Sequence, residues 1–100
     1  VNLDAVHRFI IAYDVGDDPR RNRVARALAS FGDRMQYSLF LVDIKPAKLL
    51  RLRGLLCNII DPATDSVLIC DLGPLAHGGQ HRIEMIGASR PVTSQGPLIM

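Results

Sequence analysis

An α+β sandwich in the order strand, helix, strand or hairpin, helix, strand is predicted by three observations. Residues 9–15 and 66–72 are apolar at nearly every position, the pattern of strands buried on two faces. Two stretches, opening near Pro19 and at Pro46, place apolar residues at helical spacing. Between them, residues 34–43 alternate with period two. Two helices on one face of an antiparallel sheet satisfy this order, which is the ferredoxin-like, βαββαβ layout, here with an extra C-terminal strand.

Each element has its local reason. Residues 1–7 form a polar lead-in. In the first strand Phe9, Ile11 and Tyr13 face one side and Ile10 and Ala12 the other. Helices cover one of these sides, and the second needs another subunit or a substrate. The run ends in the carboxylate of Asp14, Gly16 turns the chain, and Asp18 serves as N-cap with Pro19 as first helical residue. Val24, Ala27, Leu28 and Phe31 make the inward stripe, Arg20, Arg21, Arg23 and Arg26 flank it or face away, and Gly32 stops the helix. Residues 34–43 place Met35, Tyr37, Leu39 and Leu41 opposite Arg34, Gln36, Ser38, Phe40 and Val42, as extended chain with a kink near Ser38. The second helix runs from Pro46 through Leu49, Leu52, Leu56 and Ile59 to about Ile60. Gly54 within it costs about 1 kcal/mol relative to Ala. Asp61-Pro62 closes it, because the residue before proline avoids helical geometry. The last core strand sets Val67 and Ile69 against Leu68, Cys70 and Leu72.

The expected organisation is therefore a core over residues 1–72 and a C-terminal portion over 73–100. In that portion, Gly- and Pro-rich residues 73–80 are a linker and 82–86 a short strand. An apolar strand on a linker seeks an open sheet edge, and in a homodimer that edge can be the partner's.

Composition narrows the classes of function. A chain of 100 residues makes one core and no deep pocket unaided, so a sizeable site calls for a second subunit. With 48% hydrophobic and 22% charged residues it is an ordered domain and not a disordered tail. Net charge is only +2, yet ten of twelve basic residues are Arg and five of those lie between positions 20 and 34. The arginine fork suits phosphate oxygens, and the run reads either as a polyanion-binding face or as a solvated helix face. Cys57 and Cys70 each sit in an apolar run with no Cys-x-x-Cys, and read as reduced core thiols of a cytoplasmic protein. No run approaches the roughly 18 apolar residues of a membrane span, and no targeting signal is evident.

Among groups able to do chemistry, Asp14 stands first, at a strand's carboxyl end. Taken alone it is either a loop-capping carboxylate or a ligand, since Mg²⁺ demands more oxygens than one side chain gives. Two copies across a two-fold axis could hold one ion. Asp17 and Asp18 read as turn and cap residues. Ser38 has no partner at a nucleophile-elbow spacing, and Gly78-Gly79 between His77 and His81 argues against a helical zinc pair.

The motifs Tyr13-Asp14-Val15-x-Asp17-Asp18-x-Arg20-Arg21-Asn22-Arg23-Val24-Ala25 and Gly32-Asp33-Arg34-Met35-Gln36-Tyr37-Ser38-Leu39-Phe40 resemble the CRISPR-associated protein two family. Pro46-Ala47-Lys48-Leu49 and Asp61-Pro62-x-x-Asp65-Ser66-Val67 continue the likeness, so that it covers residues 8–72 in order. The resemblance implies a ferredoxin-like homodimer with a divalent metal, Mg²⁺ or another, between the two Asp14 carboxylates, and metal-dependent endonuclease activity on RNA or DNA. It implies a role in spacer acquisition beside the CRISPR integrase protein, on duplex DNA. It also implies that Arg21, Arg23 and Arg34 hold nucleic-acid backbone, with Tyr13 and Phe40 in support, and that the tail adds a strand to the partner's sheet. Two other readings stay open: a non-catalytic DNA-bridging scaffold, and a toxin-like RNA-cutting protein of similar fold.

Overall fold

The structure, a computed structural model, describes residues 4–77 and 83–88. Four strands and two helices follow one another as β1 (His7–Asp14), α1 (Asp18–Ala29), β2 (Asp33–Gln36), β3 (Leu39–Ile44), α2 (Pro46–Ile59) and β4 (Ser66–Pro74), with a 3₁₀ turn at Leu75–His77. The sheet order is β2-β3-β1-β4, and every neighbouring pair is antiparallel. Two helices joined to such a sheet give the predicted ferredoxin-like βαββαβ arrangement.

Alternation along β1 settles which side is core. Phe9, Ile11 and Tyr13 are buried beneath the helices, and Ile10 and Ala12 on the opposite side are half-buried. Phe40, Val42 and Ile44 of β3 join them, and Val24, Leu28, Leu52 and Leu56 descend from α1 and α2. On the side away from the helices, Arg8 forms a two-bond ion pair with Asp43 directly across the ladder (2.9 and 2.8 Å). Their side chains are only 7% and 2% exposed, so this pair lies in the interior of the sheet.

Several boundaries differ from the sequence reading. The N-cap is Asp17, not Asp18: its carboxylate accepts the Arg20 backbone N–H at 3.0 Å, and the helix already begins at Asp18. The first strand starts at His7 instead of Phe9, and β4 continues through Gly73 and Pro74, which the sequence assigned to a linker. His7 explains both, because its Nδ1 meets the Asp71 carboxylate at 3.0 Å and its backbone pairs with Pro74. Residues 34–43 are not one extended segment. They are two strands joined by a tight turn at Tyr37-Ser38. No glycine, asparagine or proline announces that turn; β1 holds it instead, through Tyr13 N–H donating to the Ser38 carbonyl at 3.1 Å.

Gly32 lies three residues past the end of α1 and serves β3 as much as the helix. A Cβ there would stand 2.3 Å from the Leu41 carbonyl oxygen, so only glycine lets the chain pass this close. Cys57 and Cys70 are exposed, not core thiols. Cys57 lies off the inward stripe of α2, and Cys70 alternates onto the face of β4 away from the helices. Ile83 to Ile86 form no strand within the chain, and Ile86 is 90% exposed. Arg82, residues 78–80 and His81 lie outside the described residues.

Candidate nucleic-acid interface at the end of the first strand

The carboxyl end of β1 gathers the chemistry because strand alternation sends neighbouring residues to opposite sides. Tyr13, 6% exposed, points under the helices and packs at 6.3 Å from the ring of Phe40, itself 1% exposed. Asp14 is exposed, and its backbone pairs with Ser66. Its carboxylate has no hydrogen bond or ion pair among the described residues.

Around Tyr13 the β2–β3 turn is tied down. The Tyr13 hydroxyl donates to the Tyr37 carbonyl at 3.2 Å. Arg34 donates to the same carbonyl from Nε (3.0 Å) and Nη2 (2.7 Å), and Nη2 reaches the Tyr13 hydroxyl at 3.4 Å. The Arg34 guanidinium lies 5.6 Å from the Phe40 ring centre and 5.2 Å from that of Tyr37, within cation–π range. All its acceptors are neutral, so Arg34 keeps its positive charge uncompensated by these contacts.

Arg21 behaves differently. Its Nη1 donates to the Val15 carbonyl at 3.0 Å, its Nη2 pairs with Asp18, and its Nε is buried without a bond among the described residues. The Asp18 carboxylate, and secondarily Tyr37, hold this guanidinium even more firmly protonated than usual. Arg21 therefore fastens the β1–α1 turn to the first turn of α1. Arg20 is likewise engaged, donating from Nε to Asp65 at 2.8 Å and from Nη2 at 3.3 Å. The Asp65 side chain is 1% exposed. The Arg20 bond first, then the Asp61 backbone N–H at 2.9 Å, hold its carboxyl down at about 2. Arg23 is exposed and makes no such bond among the described residues.

The structure thus brings Tyr13, Arg21, Arg34 and Phe40 together about one turn. Asp14 stands beside them on the other side of the strand, and Arg23 stands apart. Two participants were missed in the sequence. Tyr37 reads as a strand residue within the alternating stretch 34–43, and its aromatic type is the mark that sets it apart. Asp65 was noted within a motif, without its partner Arg20. The helices carry seven of the chain's twelve basic residues and one of its ten acidic ones, so the layer that continues this site is strongly positive.

No group of three or more His, Cys, Asp or Glu that could hold an ion exists among the described residues. Asp14 offers one free carboxylate, which fits a cation only if a second copy supplies another. No helix among the described residues is long and apolar enough to cross a membrane.

Comparison with known proteins identifies the family to which this fold belongs. Residues 7–75 match the family described as CRISPR associated protein Cas2. A Rhodospirillum rubrum protein named CRISPR-associated endoribonuclease Cas2 3 is 38% identical over 91% of this chain and 98% of its own. The crystal structure of Streptococcus pyogenes Cas2 is 30% identical, covering 80% of this chain and 99% of its own at a TM-score of 0.70. That of a hypothetical protein from Thermus thermophilus is 26% identical, covering 87% and 98% at a TM-score of 0.75. With the family pattern spanning every core strand and helix, this chain belongs to the CRISPR-associated Cas2 family.

Proposed function

We propose that the protein works as a cytoplasmic homodimer in CRISPR spacer acquisition, alongside the CRISPR integrase protein, and hydrolyses phosphodiester bonds of RNA or DNA at a site shared by two Asp14 side chains. The observation that carries this reading is an exposed, unengaged carboxylate at the end of β1, next to an arginine held in place with its charge intact. Relatives named as endoribonucleases support the nuclease component. Two free cysteines accord with a reducing compartment.

The dimer finds support in what one chain leaves open. β4 is an edge strand that pairs only with β1 among the described residues. Leu68 on it is 61% exposed, beside exposed Cys70. Residues 82–86 alternate as a strand would and suit that edge on a second copy. Association of this kind supplies the second Asp14.

In this mechanism the two Asp14 carboxylates hold a divalent cation, Mg²⁺ or a similar ion. Held there, such an ion would supply Lewis acidity toward water and toward a phosphate oxygen. The remaining work falls to the chain. Arg23 and Arg34 hold backbone phosphates, Arg34 as a fixed cation locked by Tyr37 and Tyr13. Arg21 keeps the turn after Asp14 in shape, and Phe40 supports the Arg34 guanidinium from below.

The second reading is a non-catalytic scaffold, favoured by the absence, among the described residues, of any group of three or more His, Cys, Asp or Glu that could hold an ion. A cleavage assay on RNA and on duplex DNA, titrated with Mg²⁺ and with chelator, separates them. Under the nuclease reading, chelation and Asp14→Asn each abolish cutting while leaving binding and dimerisation in place. Cutting that survives Asp14→Asn removes the proposed centre, as does a protein that stays monomeric in sedimentation.

A further inference from the structure

The turn between β2 and β3 presents an aromatic side chain that neither the core nor the hydrolytic centre requires. Tyr37 exposes 65% of its surface, whereas the other tyrosine, Tyr13, is buried. Its backbone is nonetheless firmly held, because its carbonyl accepts from Arg34 Nε and Nη2 and from the Tyr13 hydroxyl. The next carbonyl, of Ser38, is bound by Tyr13 N–H. Two guanidinium groups stand near the ring, Arg34 at 5.2 Å and Arg21 at 5.9 Å from its centre.

A fixed backbone, an exposed ring and adjacent cations are what a base-stacking platform needs. A base laid on the ring loses little additional protein freedom, and the phosphate joined to it falls to a neighbouring arginine. We propose that Tyr37 stacks an unpaired nucleobase, which makes it a specificity-determining side chain of this site, the one that tells a single strand from a fully paired one. Bases inside a duplex keep their faces covered by their neighbours, and only a strand with unstacked bases can use the ring. This inference rests on the nucleic-acid reading above and adds to it the residue that senses strandedness.

Substitution can isolate the ring, because the hydrogen bonds from Arg34 and Tyr13 that order the turn run to the Tyr37 carbonyl, while its side chain meets the Arg21 and Arg34 guanidinium groups. Tyr37→Ala therefore leaves the Arg34 and Tyr13 bonds available, and Tyr37→Leu keeps apolar bulk without a π-face. Binding is measured by anisotropy on a single-stranded RNA of about 12 nucleotides and on a duplex DNA of the same length, at several salt concentrations.

The expected result is a loss of roughly 5- to 100-fold on the single strand for both Ala and Leu variants. Duplex affinity changes less than about twofold, and the salt slope is the same as wild type. Tyr37→Phe binds as wild type, and quenching of a 2-aminopurine in the strand is kept by Phe and lost by Leu. Equal losses on both nucleic acids, a flattened salt slope, or unchanged single-strand affinity in a folded Leu variant each overturn the assignment. Wild-type protein that binds neither nucleic acid at low salt instead overturns the nucleic-acid reading itself, whichever residue occupies position 37.

Discussion

Salt dependence separates arginines that hold phosphate from arginines that hold the protein. Five lie between positions 20 and 34, and the structure sorts them by what faces their charge. Arg20 is opposed by Asp65 at 2.8 Å and Asp17 at 3.7 Å, and Arg21 by Asp18. Among the described residues Arg34 meets a carbonyl, a hydroxyl and two rings, and Arg23 has no bonded partner, so neither is opposed there by a carboxylate. Each phosphate neutralised contributes about 0.9 to the slope of log affinity against log salt on duplex DNA, and about 0.7 on a single strand. Between 50 and 200 mM salt one duplex contact therefore corresponds to roughly a 3.5-fold difference in affinity loss. Anisotropy titrations over that range should show Arg23→Ala flattening the slope by about one contact, with Arg20→Gln leaving it unchanged. Asp18→Asn, which frees Arg21 from its counter-charge, should steepen it by up to one contact. Should Arg20→Gln flatten the slope as much as Arg23→Ala, the sorting of arginines by their internal partners is wrong.

Two further outcomes follow from the buried charges. Arg8→Met leaves the Asp43 carboxylate in the sheet interior without its arginine, and should destabilise the fold by about 3–5 kcal/mol. Most of this is recovered in Arg8→Met/Asp43→Leu, read as the shift in denaturant midpoint at constant slope. The carboxyl of Asp65 is held at about 2 against an ordinary 3.8, so its contribution is fully present above 3.8 and lost as pH falls through about 2. Melting temperature should therefore drop across that window in the wild type and drop less in Asp65→Asn.

The fold was legible wherever one period dominated. Residues 9–15 and 66–72, the α1 stripe at Val24 and Leu28, and Pro46 at the opening of α2 all mark elements that form. The β2–β3 turn was not legible, because its geometry is imposed from outside, by Tyr13 and Arg34, and not by a turn-forming residue of its own. The exposed cysteines misled for a related reason. An apolar run in sequence does not say which of its faces the helices will cover, and Cys70 fell on the other one. Asp14 stood out by type and position, whereas the difference between Arg21 and Arg23 could not. Both are arginines on one helix, and only the packing of Asp18 and Val15 against one of them distinguishes a fastening from a free cation.

The division of β1 at its last two residues limits how any such site can operate. Tyr13 faces the helices and fixes the turn that holds Arg34 and Tyr37, and Asp14 alternates to the other side. On the proposed reading, a strand of nucleic acid must then pass the open end of the sheet, touching the arginine side of one chain while its phosphate reaches the carboxylate side. The side of the sheet bearing Asp14 is also the one the helices leave uncovered, so on the same reading the geometry that separates acid from arginine within a chain would also present the acid to a second copy. A shared centre would then follow from alternation along the strand, and binding by the arginines would persist when the paired acids are absent. Cleavage and binding should accordingly be separable by mutation, with Asp14→Asn silent in affinity and Arg23→Ala felt in affinity before it is felt in the chemical step.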